Sequence, residues 1–242
     1  MNLVIDEGNT LCKCAWFEDG QLLRQELLGK DKVFSQKFWQ DIDADNILLS
    51  TVKRTREEFF EWLGTTKKEV LFLDYRSKLP ITLKYKTPQT LGNDRIAGAV
   101  AANAQFPGQN VLVIDAGTCI TYDFVSEENA FLGGGISPGI HLRFKALHNY
   151  TARLPLVQHI PEKTPLVGRS TEESMLSGVI NGVKAEVHAL IEQYRNNYQG
   201  LKVIISGGDA LLFETNPKNN IFAQPNLVLH GLNKILSHNA PL

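Results

Sequence analysis

The chain contains 242 residues, of which 43% are hydrophobic and 21% are charged, and its formal net charge is −1. This length and composition predict a folded protein with a sizeable core, arranged as one large domain or two smaller ones. The balanced charge argues against a nucleic-acid partner. No apolar run approaches the ~18 residues that span a bilayer, and Asp6 comes too early for a signal peptide, so no membrane partner is expected. The three cysteines form no disulfide framework, which favours a reduced, cytoplasmic protein.

In the first half of the chain, short apolar strands alternate with helical segments. The first strand ends in Asp6-Glu7-Gly8-Asn9-Thr10, where carboxylates, a glycine and a hydroxyl follow one another. A later helix of small residues follows Gly92-Asn93-Asp94-Arg95, and Asn93 or Asp94 is expected to cap it. The predicted strands are residues 3–5, 12–17, 21–28, 47–50, 70–73 and an edge segment 81–85, and the predicted helices are residues 33–39, 56–63 and 96–104.

The second half opens with the same pattern as the first. A strand of branched apolar residues, 111–115, ends in Asp115-Ala116-Gly117-Thr118, and Asp115 lies 109 residues after Asp6. Each of the two turns is followed by a strand, a second turn and another strand. We therefore predict two tandem domains, residues 1–109 and 110–242.

The rest of the second half is predicted to mix strands with longer helices. Ser170 and Glu173 form a capping box that is expected to open a long helix. The other predicted elements are strands 120–125, 130–132 and 201–205, a glycine-rich turn 133–139, a loop 155–165, and helices 140–149, 170–194 and 227–236.

The two Asp-containing turns indicate a phosphate-handling site. Glycine allows backbone amides to approach an anion closely, and threonine and asparagine side chains add hydrogen-bond donors. The aspartates would repel phosphate directly, so their expected role is to hold a cation or a water molecule that touches it. An Asp-Gly turn after a strand is also a common structural device. Its occurrence at corresponding places in both halves favours the functional interpretation.

Two other motifs have the chemistry of a ligand site. Gly207-Gly208 follows an apolar strand, and its bare backbone would let a flat ring or a ribose lie against it, although a plain strand-to-helix turn is the alternative. Asp94 and Arg95 lie together at a predicted helix N-terminus. There an ionised carboxylate can accept a proton from a hydroxyl, and a guanidinium can hold a carboxylate through two hydrogen bonds. A cap followed by a surface arginine is the corresponding structural interpretation.

Two familiar catalytic patterns are excluded. Residues 135–139, Gly-Ile-Ser-Pro-Gly, have the spacing of a hydrolase nucleophile elbow, but Pro138 lacks the N–H that the oxyanion hole requires. A glycine-rich turn that lines the cleft is the preferred interpretation. The sequence also lacks Gly-x-x-x-x-Gly-Lys-Ser/Thr, so a bound nucleotide would be held without a P-loop.

Taken in order, these motifs resemble those of the acetate and sugar kinase, Hsp70 and actin superfamily. Residues 6–10 are similar to its first phosphate motif, residues 115–118 to its second, and Gly207-Gly208 to its adenosine motif. Within that superfamily the chain resembles the type III pantothenate kinases nearly from end to end. The further motifs of that family are matched by residues 92–95 (Gly-x-Asp-Arg), 133–139 (Gly-Gly-Gly-Ile-x-Pro-Gly) and 171–178 (Thr-x-x-Ser-x-x-x-Gly).

The resemblance implies an α/β fold of two RNase H-like, actin-like ATPase domains, with the active site in the cleft between them and commonly a homodimer. It implies the ATP-dependent phosphorylation of pantothenate to phosphopantothenate, the first step of coenzyme A biosynthesis. Asp115 would bind a monovalent cation, K⁺ or NH₄⁺, and a divalent metal, Mg²⁺, would accompany ATP.

The resemblance also implies roles for individual residues. Asp94 would be the general base that acts on the primary hydroxyl of pantothenate. Glu7 stands where the family usually has an aliphatic residue and adds a negative charge near the phosphates. The expected pantothenate contacts are Tyr85, Gly92, Asn93, Asp94, Arg95 and Thr171. The expected ATP contacts are Asp6, Glu7, Gly8, Asn9, Thr10, Leu11, Cys12, Lys13, Thr118, Gly207 and Gly208.

Two other functions fit the same scaffold. The first is another enzyme of the superfamily, such as a sugar or acetate-type kinase or a phosphatase, and a panel of substrates offered with ATP would distinguish it. The second is a nucleotide-binding regulator without catalytic activity. Such a regulator is expected to have lost the general base or the residues that hold the substrate and the phosphates. The sequence retains all of them: Asp6, Asp94, Arg95, Asp115 and Thr118.

Overall fold

The structure is a computed structural model that describes residues 1–8, 11–51, 56–63, 69–213 and 217–239. The contacts within the chain divide it into two compact units. The first unit comprises Met1–Gly108, Glu128–Leu132 and Asn226–Leu242, and the second comprises Gln109–Glu127 and Gly133–Pro225. The sequence predicts a single division after residue 109, whereas two segments from later in the chain also belong to the first unit.

The described residues form strands and helices that alternate along both units. The strands are β1 (Asn2–Glu7), β2 (Leu11–Glu18), β3 (Gln21–Gly29), β4 (Asn46–Ser50), β5 (Val70–Phe72), β6 (Thr82–Leu83), β7 (Val111–Ala116), β8 (Cys119–Ser126), β9 (Ala130–Pro138), β10 (Lys202–Ser206) and β11 (Ile221–Ala223). The helices are α1 (Lys30–Val33), α2 (Gln36–Asp41), α3 (Arg56–Leu63), α4 (Asn93–Gln105), α5 (Ile140–Asn149), α6 (Thr171–Leu176), α7 (Gly182–Asn197) and α8 (Leu227–Asn239).

The first unit is built on a five-stranded sheet in the order β3-β2-β1-β4-β5. The central strand β1 pairs antiparallel with β2 and parallel with β4, so the ends of β1 and β4 lie side by side. Leu3, Val4 and Ile5 of β1 are fully buried, and α8 packs against β1, β4 and α4. Cys12 and Cys14 lie in one core with Leu3 and Ile5 and form no disulfide, which confirms that they act as small apolar residues.

The second unit repeats this topology strand for strand. Its strands follow the order β11-β10-β7-β8-β9 in a six-stranded sheet whose last strand is β6, and the central strand β7 pairs antiparallel with β8 and parallel with β10. Leu112 and Ile114 of β7 pack in a core with apolar residues of α5, α6 and α7. The predicted α/β class with two RNase H-like domains is therefore confirmed, since both units place three antiparallel strands beside two parallel ones.

Strand β9 connects the two units along the chain, because its first residues belong to the first unit and the others to the second. Ala130 and Phe131 pair in parallel with Thr82 and Leu83 of β6, and this confirms the predicted edge segment. Among the described residues, no helix has the length and apolar character needed to cross a membrane.

Two local predictions that concern glycine-containing segments are wrong. The N-cap of α4 is Gly92, because its carbonyl accepts the hydrogen bond of the Ile96 N–H at 3.1 Å, and neither Asn93 nor Asp94 caps the helix. The segment predicted as a glycine-rich turn, 133–139, continues as strand β9 as far as Pro138, since pairing with β8 satisfies its backbone groups.

The long helix after Ser170 begins as predicted. The Ser170 hydroxyl accepts a hydrogen bond from the Glu173 N–H at 3.2 Å, while the Glu173 carboxylate accepts from the Arg169 N–H at 2.7 Å. A π-helical segment, Ser177–Asn181, interrupts the helix between α6 and α7. Helical spacing of apolar residues does not reveal such a local change of hydrogen bonding.

Candidate active site

The end of β1 opens a small cavity in the first unit. Asp6 and Glu7 end the strand, and the N–H of the following Gly8 donates to the Leu11 carbonyl at 3.0 Å. The Ser50 hydroxyl at the end of β4 donates to Asp6 Oδ1 at 3.1 Å. The cavity has a volume of about 180 Å³ and is lined by Asp6, Glu7, Gly8, Ser50, Thr51, Asn93 and Asp94. The predicted phosphate turn and the predicted base thus line the same cavity.

The other predicted ATP contacts of the first motif are residues 9–13. Asn9 and Thr10 lie outside the described residues. Leu11 and Lys13 are exposed, whereas Cys12 is fully buried in the core of the first sheet. Its thiol therefore faces the core, and only its backbone is left for a contact with a nucleotide.

Asp94 lies in the first turn of α4. Its Oδ1 atom accepts a hydrogen bond from the Arg95 N–H at 2.9 Å, and the residue is exposed. A β-carbon on Gly92 would overlap this Oδ1 atom, so the glycine leaves the space that the carboxylate occupies. The local sequence therefore sets where the carboxylate can lie.

Arg95 is buried beside two aromatic rings. Only 8% of the residue is exposed, and its guanidinium carbon lies 5.8 Å from the centroid of the Tyr85 ring and 5.7 Å from that of Phe131. The faces of aromatic rings attract cations, so the two rings favour a charged and oriented guanidinium. Such a group suits the recognition of a carboxylate. Phe131 is missing from the predicted contacts because in the sequence it is one more apolar residue of a buried strand.

Glu7 is buried, and its carboxylate is paired with a cation and with a hydroxyl. Its side chain is 2% exposed, with Oε1 at 3.2 Å from Lys30 Nζ and Oε2 accepting from the Thr51 hydroxyl at 2.6 Å. A buried carboxylate is stable only with such partners. Asn93 also turns inward, and its Nδ2 donates to the carbonyls of Leu73 and Thr51 at 3.0 and 3.4 Å. The negative charge expected from Glu7 is therefore offset by Lys30.

The second unit brings the second phosphate motif and the adenosine motif together. Asp115, near the end of β7, is half-buried and pairs with Ser206 of β10. Gly207 follows with a φ of +94°, a conformation that L side chains rarely adopt. A β-carbon there would overlap the Ala116 carbonyl and the Asp115 carboxylate, so the glycine allows the two turns to touch. Gly208 has open space beside it.

Thr118 lies in the turn between β7 and β8. The residue is exposed, and its carbonyl accepts a hydrogen bond from the Gly139 N–H at 3.0 Å. Asp209, just after the glycine pair, donates its N–H to the Ala116 carbonyl at 3.0 Å. Burial raises the pKa of the Asp209 carboxyl, and the charge of His141 acts in the opposite direction.

Thr171 lies elsewhere in the second unit. It is the first residue of α6 and lines a groove of about 1180 Å³ between α5 and the start of the long helix. Neither Asp115 nor Gly207 lines that groove. Apolar side chains near it are exposed, with Tyr150 89%, Leu166 81% and Val167 73% accessible.

A polar cluster that the sequence does not reveal lies behind the glycine-rich strand. The Glu186 carboxylate accepts hydrogen bonds from the hydroxyls of Tyr122 and Ser137 at 2.9 and 2.6 Å and from Arg143 Nη2 at 2.6 Å. Burial acts to raise the pKa of Glu186, but the three hydrogen bonds outweigh it and hold that pKa below its ordinary value of 4.5. Burial also raises the pKa of Tyr122. The cluster ties α5 and α7 to strands β8 and β9.

The carboxylates suit a metal that is shared with a phosphate ligand. No group of three or more histidine, cysteine, aspartate or glutamate side chains that could hold a metal occurs among residues whose positions the structure describes. Cations that also contact phosphate commonly bind through one or two carboxylates, and each unit offers one carboxylate at the end of its central strand, Asp6 in the first and Asp115 in the second.

Comparison with known proteins shows one consistent similarity in sequence. The family model described as "Type III pantothenate kinase" matches residues 2–193. Relatives named type III pantothenate kinase include proteins from Christiangramia forsetii, 44% identical with 99% of each chain covered, and from Bacteroides fragilis, 42% identical with 99% of this chain and 98% of the relative covered. A third, from Cytophaga hutchinsonii, is 41% identical, with 99% of this chain and all of the relative covered.

Solved structures with low sequence identity share the fold. A Campylobacter jejuni protein, provisionally named a Baf family transcriptional activator, has a TM-score of 0.64 at 23% identity, with 98% of both chains covered. A Sinorhizobium meliloti protein, provisionally named a 2-dehydro-3-deoxygalactonokinase, has a TM-score of 0.61 at 13% identity, with both chains fully covered.

Proposed function

The chain belongs to the type III pantothenate kinase family, and from that premise we propose how its residues carry out the reaction. The enzyme transfers a phosphoryl group from ATP to pantothenate in coenzyme A biosynthesis. A divalent metal accompanies ATP as part of the substrate. We further propose that the enzyme uses a monovalent cation, forms a homodimer and is located in the cytoplasm.

We propose that Asp94 is the general base. It would take the proton of the primary hydroxyl of pantothenate while the hydroxyl oxygen bonds to the γ-phosphorus and the bond to ADP breaks. The observation that carries this role is the cavity at the end of β1, where the exposed Asp94 carboxylate lies with Asp6 and Gly8. In-line phosphoryl transfer depends mainly on position and charge, and a nearby base assists the attacking hydroxyl.

Arg95 and Tyr85 would bind pantothenate beside this base. Pantothenate carries one carboxylate, and the Arg95 guanidinium is the cation next to Asp94 in the sequence and in α4. The rings of Tyr85 and Phe131 would orient it. Gly92 and Asn93 would contribute through the backbone, since the Asn93 amide group already donates to two carbonyls.

ATP would be held by backbone groups around the two phosphate turns and by Thr118. Gly208 has nothing within 4 Å of its β-carbon position, which leaves the backbone open to close approach. A K⁺ or NH₄⁺ ion would bind at Asp115, whose half-buried carboxylate supplies one oxygen ligand, while phosphate oxygens and water supply others.

A homodimer is proposed because the second unit exposes large apolar side chains beside the groove that contains Thr171. Tyr150, Leu166 and Val167 would then lie at the contact between subunits. Sedimentation of the purified protein measures its oligomeric state directly. A monomer at micromolar concentration would contradict the proposal.

The decisive experiment measures ADP release with ATP, Mg²⁺ and pantothenate for the wild type and for Asp94→Asn. We expect a loss of roughly 10²-fold or more in kcat for the variant, as is usual when a general base is removed, while ATP still binds. Near-normal turnover would refute the role of Asp94. Phosphorylation of a sugar in place of pantothenate would favour another kinase of the superfamily, and ATP binding without any turnover would favour a regulator.

A further inference from the structure

A chain of contacts runs from β1 to the helix that carries Asp94. The Glu7 carboxylate lies 3.2 Å from Lys30 Nζ and accepts the Thr51 hydroxyl at 2.6 Å. The carbonyl of the same Thr51 accepts from Asn93 Nδ2 at 3.4 Å. Asn93 is the first residue of α4, and Asp94 is the second.

The side chains in this chain of contacts are buried. Glu7, Thr51 and Asn93 are each less than 8% exposed, and the side chain of Glu7 is 2% exposed. Polar groups in such places are held by their partners, because losing one leaves a desolvated group at a cost of about 1–3 kcal/mol. Their arrangement therefore has little freedom, in contrast to an exposed ion pair.

The same contacts surround the cavity at the end of β1. Glu7, Thr51, Asn93 and Asp94 all line it, together with Asp6 of the phosphate turn. Thr51 contacts both sides of the cavity, since its hydroxyl bonds the end of β1 and its carbonyl bonds the start of α4. A shift of Thr51 would thus change the distance between the phosphate turn and the base.

We propose that Glu7 and Thr51 are positioning residues that set Asp94 at its working distance from the phosphate turn. Glu7 holds the Thr51 hydroxyl, Lys30 pairs with the other carboxylate oxygen of Glu7, and the Thr51 carbonyl aligns Asn93 at the first turn of α4. This inference rests on the proposed role of Asp94 as the base.

The test compares Thr51→Val, which keeps the shape and removes the hydroxyl, with Thr51→Ser, which keeps the hydroxyl. For Thr51→Val we expect kcat to fall about 10- to 100-fold, as a displacement on the order of 1 Å does, while KM for ATP changes less than about threefold. Thr51→Ser is expected to retain most of the turnover. Equal kcat values for the two variants would overturn the inference.

A double-mutant cycle separates positioning from a general structural effect. If Thr51 acts through Asp94, adding Thr51→Val to Asp94→Asn should lower kcat by less than about threefold more. The same 10- to 100-fold loss in both backgrounds would overturn the positioning role and leave the base in place. Near-normal turnover of Asp94→Asn alone would overturn the role of Asp94 as the base, and this inference with it.

If Thr51→Val does not fold, a second pair of variants tests the same contact from the side of Glu7. Glu7→Gln keeps an acceptor for the Thr51 hydroxyl, and Glu7→Met removes it at similar length. We expect Glu7→Gln to retain at least ten times the kcat of Glu7→Met. Indistinguishable kcat values in two folded variants, judged by their melting temperatures, would overturn the inference.

Discussion

Replacing Gly92 with alanine separates the position of the catalytic carboxylate from the stability of the fold. The β-carbon added at residue 92 would overlap Asp94 Oδ1, which is the end of a flexible side chain. The carboxylate must therefore rotate away, while the backbone can stay. We expect a displacement of roughly 1 Å at the proposed base and a loss of about 10²-fold in kcat.

The expected change in stability is small because two contributions oppose each other. Gly92 has φ −61° and ψ 138°, which alanine adopts readily, so the less flexible unfolded chain favours the variant by about 0.4–1 kcal/mol. Alanine is a poorer N-cap residue than glycine, and this disfavours the variant by about the same amount. The free energy of unfolding should stay within about 1 kcal/mol of the wild type.

Gly29 provides a matched control. It is also a helix N-cap, with φ −62° and ψ 147°, but a β-carbon there would have nothing within 4 Å. ADP release with pantothenate and thermal unfolding should be measured for both alanine variants. We expect Gly29→Ala to keep its turnover while Gly92→Ala loses it. Full turnover in Gly92→Ala, or a loss of turnover that matches a loss of stability, would refute the reasoning.

Three further predictions concern other parts of the site. Phe131→Leu removes one ring beside Arg95 and should raise KM for pantothenate about tenfold, with KM for ATP unchanged. An equal rise in the two KM values would contradict a role of this ring in binding pantothenate. Asp115→Ala should abolish activation by K⁺ in the same assay, and an unchanged potassium dependence would count against the cation site. The pKa of Glu186 is lowered in the folded state, so its stabilisation is present above its ordinary pKa of 4.5 and is lost as the pH falls through the folded pKa. Urea unfolding should therefore show Glu186→Gln less stable than the wild type by roughly 1–2 kcal/mol at pH 7, with a difference that shrinks below pH 4.5; a constant difference would contradict this.

The sequence by itself determines the architecture and the places of most motifs. Runs of branched apolar residues that end in Asp6 and Asp115 predict the two central strands, because side-chain patterning is a local property. The repeated order of strands and turns then predicts two domains of the same topology. The family motifs also place Asp94 and Arg95 at the start of a helix, where the structure has them.

Only the tertiary structure decides which residues meet across the chain. Phe131 lies beside Arg95, and the Glu7 carboxylate turns inward to Lys30 and Thr51. Such contacts join residues far apart in sequence, and local patterns carry no record of them. The same reason applies to α8, which comes last in the sequence but belongs to the first unit, because it packs on β1, β4 and α4. The sequence therefore identifies which chemical groups form the site, and the tertiary structure determines which partners hold those groups in place.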